Sequence, residues 1–270
     1  MEKIELTNEN YHSTEARLAY MGSSQFKSFL HCEKQALAEV RGELDEKSTD
    51  ALLFGSYVDA YFSNEMNEFV PKHPEMFNAR TGELKSAFAN AEKVIETIEN
   101  DEMMLKYLSG EHQRIMTGEI AGVPFKIKID SFFDGQCIVD QKIIKDLKPV
   151  WIEEDGRRRQ VNFVEAYRYD IQGAIYQEIV RQNTSKKLPF VLAVTTKESA
   201  PAKGLYKIDQ EDLDLALAEV IEKAPRFQQI KQGLIEPIGC GECEVCRKSQ
   251  KVTGIRSYHE LDPYNFDDEF

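Results

Sequence analysis

Val123-Pro124-Phe125-Lys126-Ile127-Lys128-Ile129-Asp130, a turn at Asp134-Gly135, and then Gln136-Cys137-Ile138-Val139-Asp140-Gln141-Lys142-Ile143 form the stretch that decides the fold. In its first half Phe125, Ile127 and Ile129 alternate with Lys126, Lys128 and Asp130, the period of a strand with one buried face. Just upstream, Gln113 to Ile120 reads as a partner strand, and Ala121-Gly122 between the two predicts a hairpin. The second half, Gln136 to Ile143, is a third strand. Three consecutive strands therefore meander antiparallel.

Moving outward, the period changes to that of helices. Ser23-Ser24 can cap a helix over Gln25 to Val40, with Phe26, Phe29, Leu30, Leu37 and Val40 on one face. A second helix is predicted from Thr49 to Asn64, and Pro71 and Pro74 mark a loop. Glu83 to Leu108 reads as one long amphipathic helix. Beyond the strands, helical spacing runs from Phe163 to Gln182. Leu188 to Thr196 is a buried strand, Gly204 to Ile208 another, and Gln210 to Lys231 a final helix. The order predicts a mixed α/β or α+β fold with an αβββαβ core, the fourth main strand entering by a helical crossover. Residues 1–236 read as one domain with an N-terminal helical part. Residues 237–270 read as a Cys-rich segment and acidic tail packed on it.

The chain has 270 residues, 41% hydrophobic and 30% charged, enough to bury a core. No apolar run approaches the roughly 18 residues that a membrane span needs. The polar start Met1-Glu2-Lys3-Ile4-Glu5 lacks a secretory h-region, so a cytoplasmic protein with no membrane partner is expected. A net charge of -13 argues against indiscriminate coating of DNA. It leaves open a local basic groove or a cluster of acids offset by metal ions.

Alternation places Asp140 and Lys142 on one face of an otherwise apolar strand, and Asp130 lies near the end of the strand before it. Carboxylates on adjacent strands make a hard-oxygen site suited to Mg²⁺ or Mn²⁺. A lysine beside them can position a water or offset charge on phosphorus. The same residues also read as a buried-edge salt bridge. On the following helix Gln172 and Tyr176 share a face at i, i+4 spacing, which also suits a polar pair at a helix edge. Three of five cysteines fall in Cys240-Gly241-Glu242-Cys243-Glu244-Val245-Cys246, and the spacing reads as metal or cluster ligation. Cys137, inside a strand, reads as core. Lys145, Lys148 and Arg157 to Arg159 form the only dense basic stretch, near Trp151 and Tyr167. It reads as a phosphate contact or as a solvated loop. There is no Walker A sequence and no histidine triad.

Together, Asp130, Asp140-Gln141-Lys142 and Gln172-x-x-x-Tyr176 resemble the PD-(D/E)xK nuclease superfamily in its RecB-like branch. The likeness is nearest to RecE, the exodeoxyribonuclease VIII-like phage exonucleases, and it extends from about Ser23 to Cys246. It implies a restriction-endonuclease-like core. Asp130 and Asp140 would be catalytic metal ligands, with the Gln141 carbonyl as a further ligand, and Lys142 the catalytic lysine. Gln172 and Tyr176 would hold DNA or shape the wall of the site. Gly55-Ser56-Tyr57-Val58-Asp59 sits where the family has Gly-x-x-x-His, so Asp59 would be the ligand in place of histidine. Glu119, late in the first strand, matches a further acid of the group. Some members tie their termini with a [4Fe–4S] cluster. By that resemblance Cys32 joins Cys240, Cys243 and Cys246 as the fourth thiolate, and a four-thiolate zinc site would use the same ligands.

The activity implied is a metal-dependent DNA exonuclease, 5′-to-3′ on duplex ends, acting in phage-type recombination with a single-strand annealing protein and as a homo-oligomer. The alternatives are a single-strand DNA nuclease of the CRISPR-adaptation or AddB type, a catalytically silent DNA-binding scaffold, and a zinc-stabilised interaction module needing neither Asp130 nor Lys142.

Overall fold

A computed structural model describes residues 4–44, 49–154, 156–255 and 257–261. The acidic tail from Asp262 lies outside the described residues. Seven helices come first: α1 (Thr14–Ala19), α2 (Ser23–His31), α3 (Glu33–Val40), α4 (Asp50–Phe62), α5 (Met66–Lys72), α6 (Asn90–Glu99) and α7 (Glu102–Leu108). They lead into β1 (Glu111–Ile120), β2 (Val123–Phe133) and β3 (Cys137–Ile144). After β4 (Val150–Glu154) and β5 (Arg157–Val161) come α8 (Phe163–Ala166), α9 (Tyr169–Thr184), β6 (Phe190–Thr196) and β7 (Lys203–Lys207). α10 (Gln210–Lys231), α11 (Glu244–Ser249) and a short 3-10 turn (Tyr258–Leu261) follow.

The main sheet runs β1-β2-β3-β6-β7. β3 and β6 are parallel and the other neighbours antiparallel. A parallel pair needs a crossover, and α9 supplies it. This is the predicted αβββαβ core. Helices cover both faces of the sheet. Phe26 and Phe29 of α2, Ile171 and Ile175 of α9 and Phe227 of α10 pack with Ile127, Ile129, Ile138 and Leu192. On the other face Val58 of α4, Val94 and Ile98 of α6 and Met104 of α7 pack with Val139, Val191 and Ala193. All seven residues of β6 are buried, as a strand between two helical layers must be.

Four local expectations need correction. The helix predicted over Gln25–Val40 is two helices, broken at Cys32, whose backbone is extended at φ -160° and ψ 113°. Leu30 and Leu37 are seven residues apart, so the apolar phase survives the break and hides it. The Glu83–Leu108 helix also divides: Asp101 caps α7 by accepting the N–H groups of Met103 and Met104, while Leu84 bridges to Phe77. Arg168, left-handed at φ 51°, separates α8 from α9. Finally, the basic stretch is a two-stranded ribbon, β4 with β5, rather than a loop. Its Trp151 is 56% exposed, so no buried face marked the period.

α9 approaches the sheet closely at Gly173. A Cβ there would stand 2.8 Å from both Phe190 Cδ1 and Leu213 Cδ2. Gly173→Ala is therefore expected to lower stability by about 1–3 kcal/mol through overpacking, despite the better helix propensity of alanine. Urea denaturation measures it.

Candidate active site

β2 and β3 pair only over Ser131–Phe133 and Cys137–Val139. The next pair in that register would be Asp130 with Asp140, and there the ladder stops and the strands fork. The N-terminal segment enters the opening: Met21 donates to the Pro124 carbonyl oxygen and accepts from the Lys126 N–H. Asp130 Oδ2 accepts the Gln141 N–H at 2.8 Å, so a side chain replaces the lost ladder bond. Alternation of β2 breaks at this point, since Ile129 and Phe132 both reach the same core. Opposite, Gln113 of β1 takes a left-handed φ of 52°.

Asp140 lies on the α9 side and is 2% exposed. Gln172 Nε2 donates to its Oδ1 at 2.6 Å, and Lys142 Nζ lies 2.5 Å from its Oδ2 as an ion pair. That second oxygen accepts no aligned hydrogen bond. Asp59 of α4 points into the same fork, where Gln113 Nε2 bonds its oxygens at 3.2 and 3.4 Å. Tyr176 donates to the Lys128 carbonyl oxygen at 2.9 Å and so ties α9 to the forked part of β2.

The charges feel one another. Burial, then the charges of Asp140 and Asp59, push Asp130 well above the ordinary carboxylate range. Asp59 is also raised, by burial against the pull of Lys128, with Glu65 and Asp140 adding to the rise. Burial alone would lower Lys142, but Asp140 and Asp130 outweigh it and hold the amine above its ordinary value, as an ammonium. A divalent cation beside Asp59, Asp130 and the buried Asp140 would relieve the repulsion that raises the first two. Asp130 is held by Gln141, Asp59 by Gln113, and Asp140 by Gln172 on one oxygen and Lys142 on the other. Each keeps oxygen lone pairs for a ligand.

The fork thus brings together Asp59, Asp130, Asp140, Gln141, Lys142, Gln172 and Tyr176. It does not bring in Glu119. That residue pairs with Pro124 at the far end of the hairpin, six residues from Asp130 and roughly 20 Å away at strand rise. It is exposed, and Gln182 bonds its backbone N–H and carbonyl. The matching position on β1 is Gln113, which sequence reading missed because its left-handed turn lies outside any strand pattern. Tyr169 was also missed. Its ring centre is 5.2 Å from Lys142 Nζ, and Tyr169, Gln172 and Tyr176 follow i, i+3, i+7 spacing that could have revealed it.

The cysteines assemble away from this fork. Cys32, Cys240, Cys243 and Cys246 place their sulfurs within 4.8 Å of one another, with Cys32 at 3.7 Å from Cys243 and 3.6 Å from Cys246. Cys240 Sγ accepts the Cys243 N–H and Cys243 Sγ accepts the Cys246 N–H. The Cys243 and Glu242 N–H groups push the Cys240 thiol down to about 6, while burial pushes the Cys243 thiol up. The break at Cys32 is what turns its side chain to the trio. Around it, Glu33 pairs with Arg226 at 2.7 Å and accepts the Ile238 N–H at 2.6 Å, fixing the returning chain against α3. The arrangement fits a metal held by four thiolates. Cys137, expected in the core, is half-buried in a cavity of about 360 Å³ with Tyr107, Pro189 and Leu205.

Among the described residues no helix is long and apolar enough to cross a membrane. No curated protein matches the chain. A crystal structure described as a "putative exonuclease" from Eubacterium rectale is similar over nearly the whole length. It is 39% identical, with 96% of this chain and 98% of that chain covered and a TM-score of 0.89. The family model for a PDDEXK-like domain of unknown function, DUF3799, matches residues 22–249. That span holds both strands of the fork, Asp59, the α9 face and all four clustered cysteines, and the chain belongs to this PDDEXK-like family.

Proposed function

We propose that the protein is a divalent-metal-dependent DNA exonuclease. The observation that carries this reading is the forked β2–β3 pair, which brings Asp130, the buried Asp140 and the Lys142 ammonium together with Asp59 of α4. The Eubacterium rectale protein's description as an exonuclease supports removal of nucleotides from DNA ends. The 5′-to-3′ direction on duplex ends, and a place in phage-type recombination beside an annealing protein, follow the resemblance to RecE. Asp59 standing among the acids supports an active centre rather than a silent scaffold.

Mg²⁺ or Mn²⁺ held by Asp59, Asp130 and Asp140 would polarise a phosphodiester and make hydroxide available from a bound water near neutral pH. Gln172 and Gln113 keep Asp140 and Asp59 aimed into the fork. Lys142 carries its positive charge where negative charge develops on phosphorus. The Gln141 carbonyl, at the edge of the fork, is a further oxygen for the ion. Release of label from 5′-labelled and 3′-labelled linear duplex and single strands, with each ion, tests the reading. Stepwise loss from the duplex 5′ end is expected. Intact DNA on every substrate would overturn it.

Ion binding must compete with protons. Asp130 and Asp59 are raised from 3.8, so their favourable contribution to folding is complete below that value and is lost as pH rises through their shifted values. A divalent ion reverses that loss. Mg²⁺ is therefore expected to raise the melting temperature more at pH 8 than at pH 5.5, and scanning calorimetry checks it.

For the cysteines we infer a structural metal. The sulfur separations suit one tetrahedral ion, which at about 2.3 Å from each sulfur spaces them about 3.8 Å apart. The exposed Cys240 leaves the segment room to spread to the wider spacing of the [4Fe–4S] cluster that the resemblance implies. Iron, sulfide and zinc analysis of anaerobically purified protein decides between them.

A further inference from the structure

Lys27 belongs to α2, outside every motif discussed above. Its Nζ donates to the Tyr167 carbonyl oxygen at 3.1 Å and lies 5.3 Å from the centre of the Tyr169 ring. Lys142 Nζ lies 5.2 Å from that same centre. Two ammonium groups therefore lie near one ring beside the fork. Their surroundings differ. Lys142 is matched by Asp140 at 2.5 Å, whereas among the described residues the close partners of Lys27 are a carbonyl and a ring. Burial and then the charge of Lys142 push the Lys27 amine down to about 8, against the opposing pull of Asp140 and Asp170 and with Arg168 adding to the fall. A half-buried cation beside a second cation stays poorly compensated until an anion arrives.

We propose that Lys27 binds a phosphate of the substrate strand, forming with Lys142 a two-lysine cradle beside Tyr169. This rests on the nuclease reading for the identity of the anion. Lys142, held among the acids, faces the phosphodiester that is cut. Lys27, the second cation near the same ring, takes a neighbouring phosphate, either within the strand or at its 5′ terminus. The Tyr169 ring lies within cation–π range of both ammonium groups.

Wild type, Lys27→Ala and Lys27→Arg are compared on linear duplexes ending in 5′-phosphate or 5′-hydroxyl. Anisotropy of labelled duplex in EDTA reads binding without cleavage, and melting temperature reads the fold. In Lys27→Ala, KM and Kd should rise roughly tenfold or more, the scale of one charge-assisted hydrogen bond, with the loss falling on KM rather than kcat. Lys27→Arg should restore most of it. An effect confined to 5′-phosphorylated ends assigns the terminal phosphate, and an equal effect on both ends assigns an internal one. Unchanged KM and Kd in Lys27→Ala would overturn the proposal, as would a loss that follows a lowered melting temperature and is not restored by arginine. If wild type cuts no DNA with any ion yet binding still depends on Lys27, the nuclease reading falls and the phosphate site stands.

Discussion

Asp140→Asn is expected to reduce cleavage of linear duplex DNA by about 10³-fold or more, well beyond any loss of folded protein that its lowered melting temperature explains. The substitution keeps the shape of the side chain and leaves an oxygen for the Gln172 bond at 2.6 Å. What it removes is the charge that pairs with Lys142 and that a divalent ion requires. A thousandfold loss corresponds to about 4 kcal/mol of transition-state stabilisation, within what one metal ligand supplies. Lys142→Ala separates the two roles. It should lose cleavage while still binding Mn²⁺, because the three carboxylates remain. Equal nuclease rates for wild type and Asp140→Asn would remove the fork from the chemistry altogether.

Cys246→Ser is the second large effect, this time on stability. Cys246 is 6% exposed and lies within hydrogen-bonding range of the Cys32 and Cys240 sulfurs, at 3.6 and 4.0 Å. Losing one of four thiolates should release the metal, and with it the tie between the α2–α3 junction and the C-terminal segment. Metal binding to a preformed site contributes directly to folding. A loss of roughly 4 kcal/mol would lower the melting temperature by about 10 °C in a domain of this size. Calorimetry of the variant beside chelator-treated wild type measures it, and both should fall together. A variant that keeps its metal and its melting temperature would show that the cysteines are unligated thiols.

The legibility of the fold followed burial. β2 and β3 announced themselves because one face is apolar and the other polar, and the crossover order then fixed the sheet. The β4–β5 ribbon escaped because Trp151 and Arg157 to Arg159 are exposed and only Val161 at its end is buried. Helix breaks at Cys32, Asn100-Asp101 and Arg168 were hidden wherever the apolar phase continued across them, although Asp101 was a readable cap. In the site, Asp130, Asp140 and Lys142 could be read from two strands because register alone places them opposite one another. Asp59 needed the family resemblance, since nothing in α4 says that its helix leans on the fork. Gln113 and Lys27 could not be read. Each reaches the site through the packing of a distant segment, and neither belongs to a local pattern. Glu119 was misplaced for a related reason: a strand of ten residues spans far more than one site, and a motif match does not say which end faces the acids.

A divalent-metal centre at the β2–β3 fork should take up Mn²⁺. Anomalous diffraction from crystals soaked in Mn²⁺ tests it most directly. A peak should appear between Asp59, Asp130 and Asp140, about 2.1 Å from carboxylate oxygens, with Lys142 drawn away from Asp140. No peak at the fork under conditions where the protein degrades DNA would contradict the account and place the chemistry elsewhere on the chain.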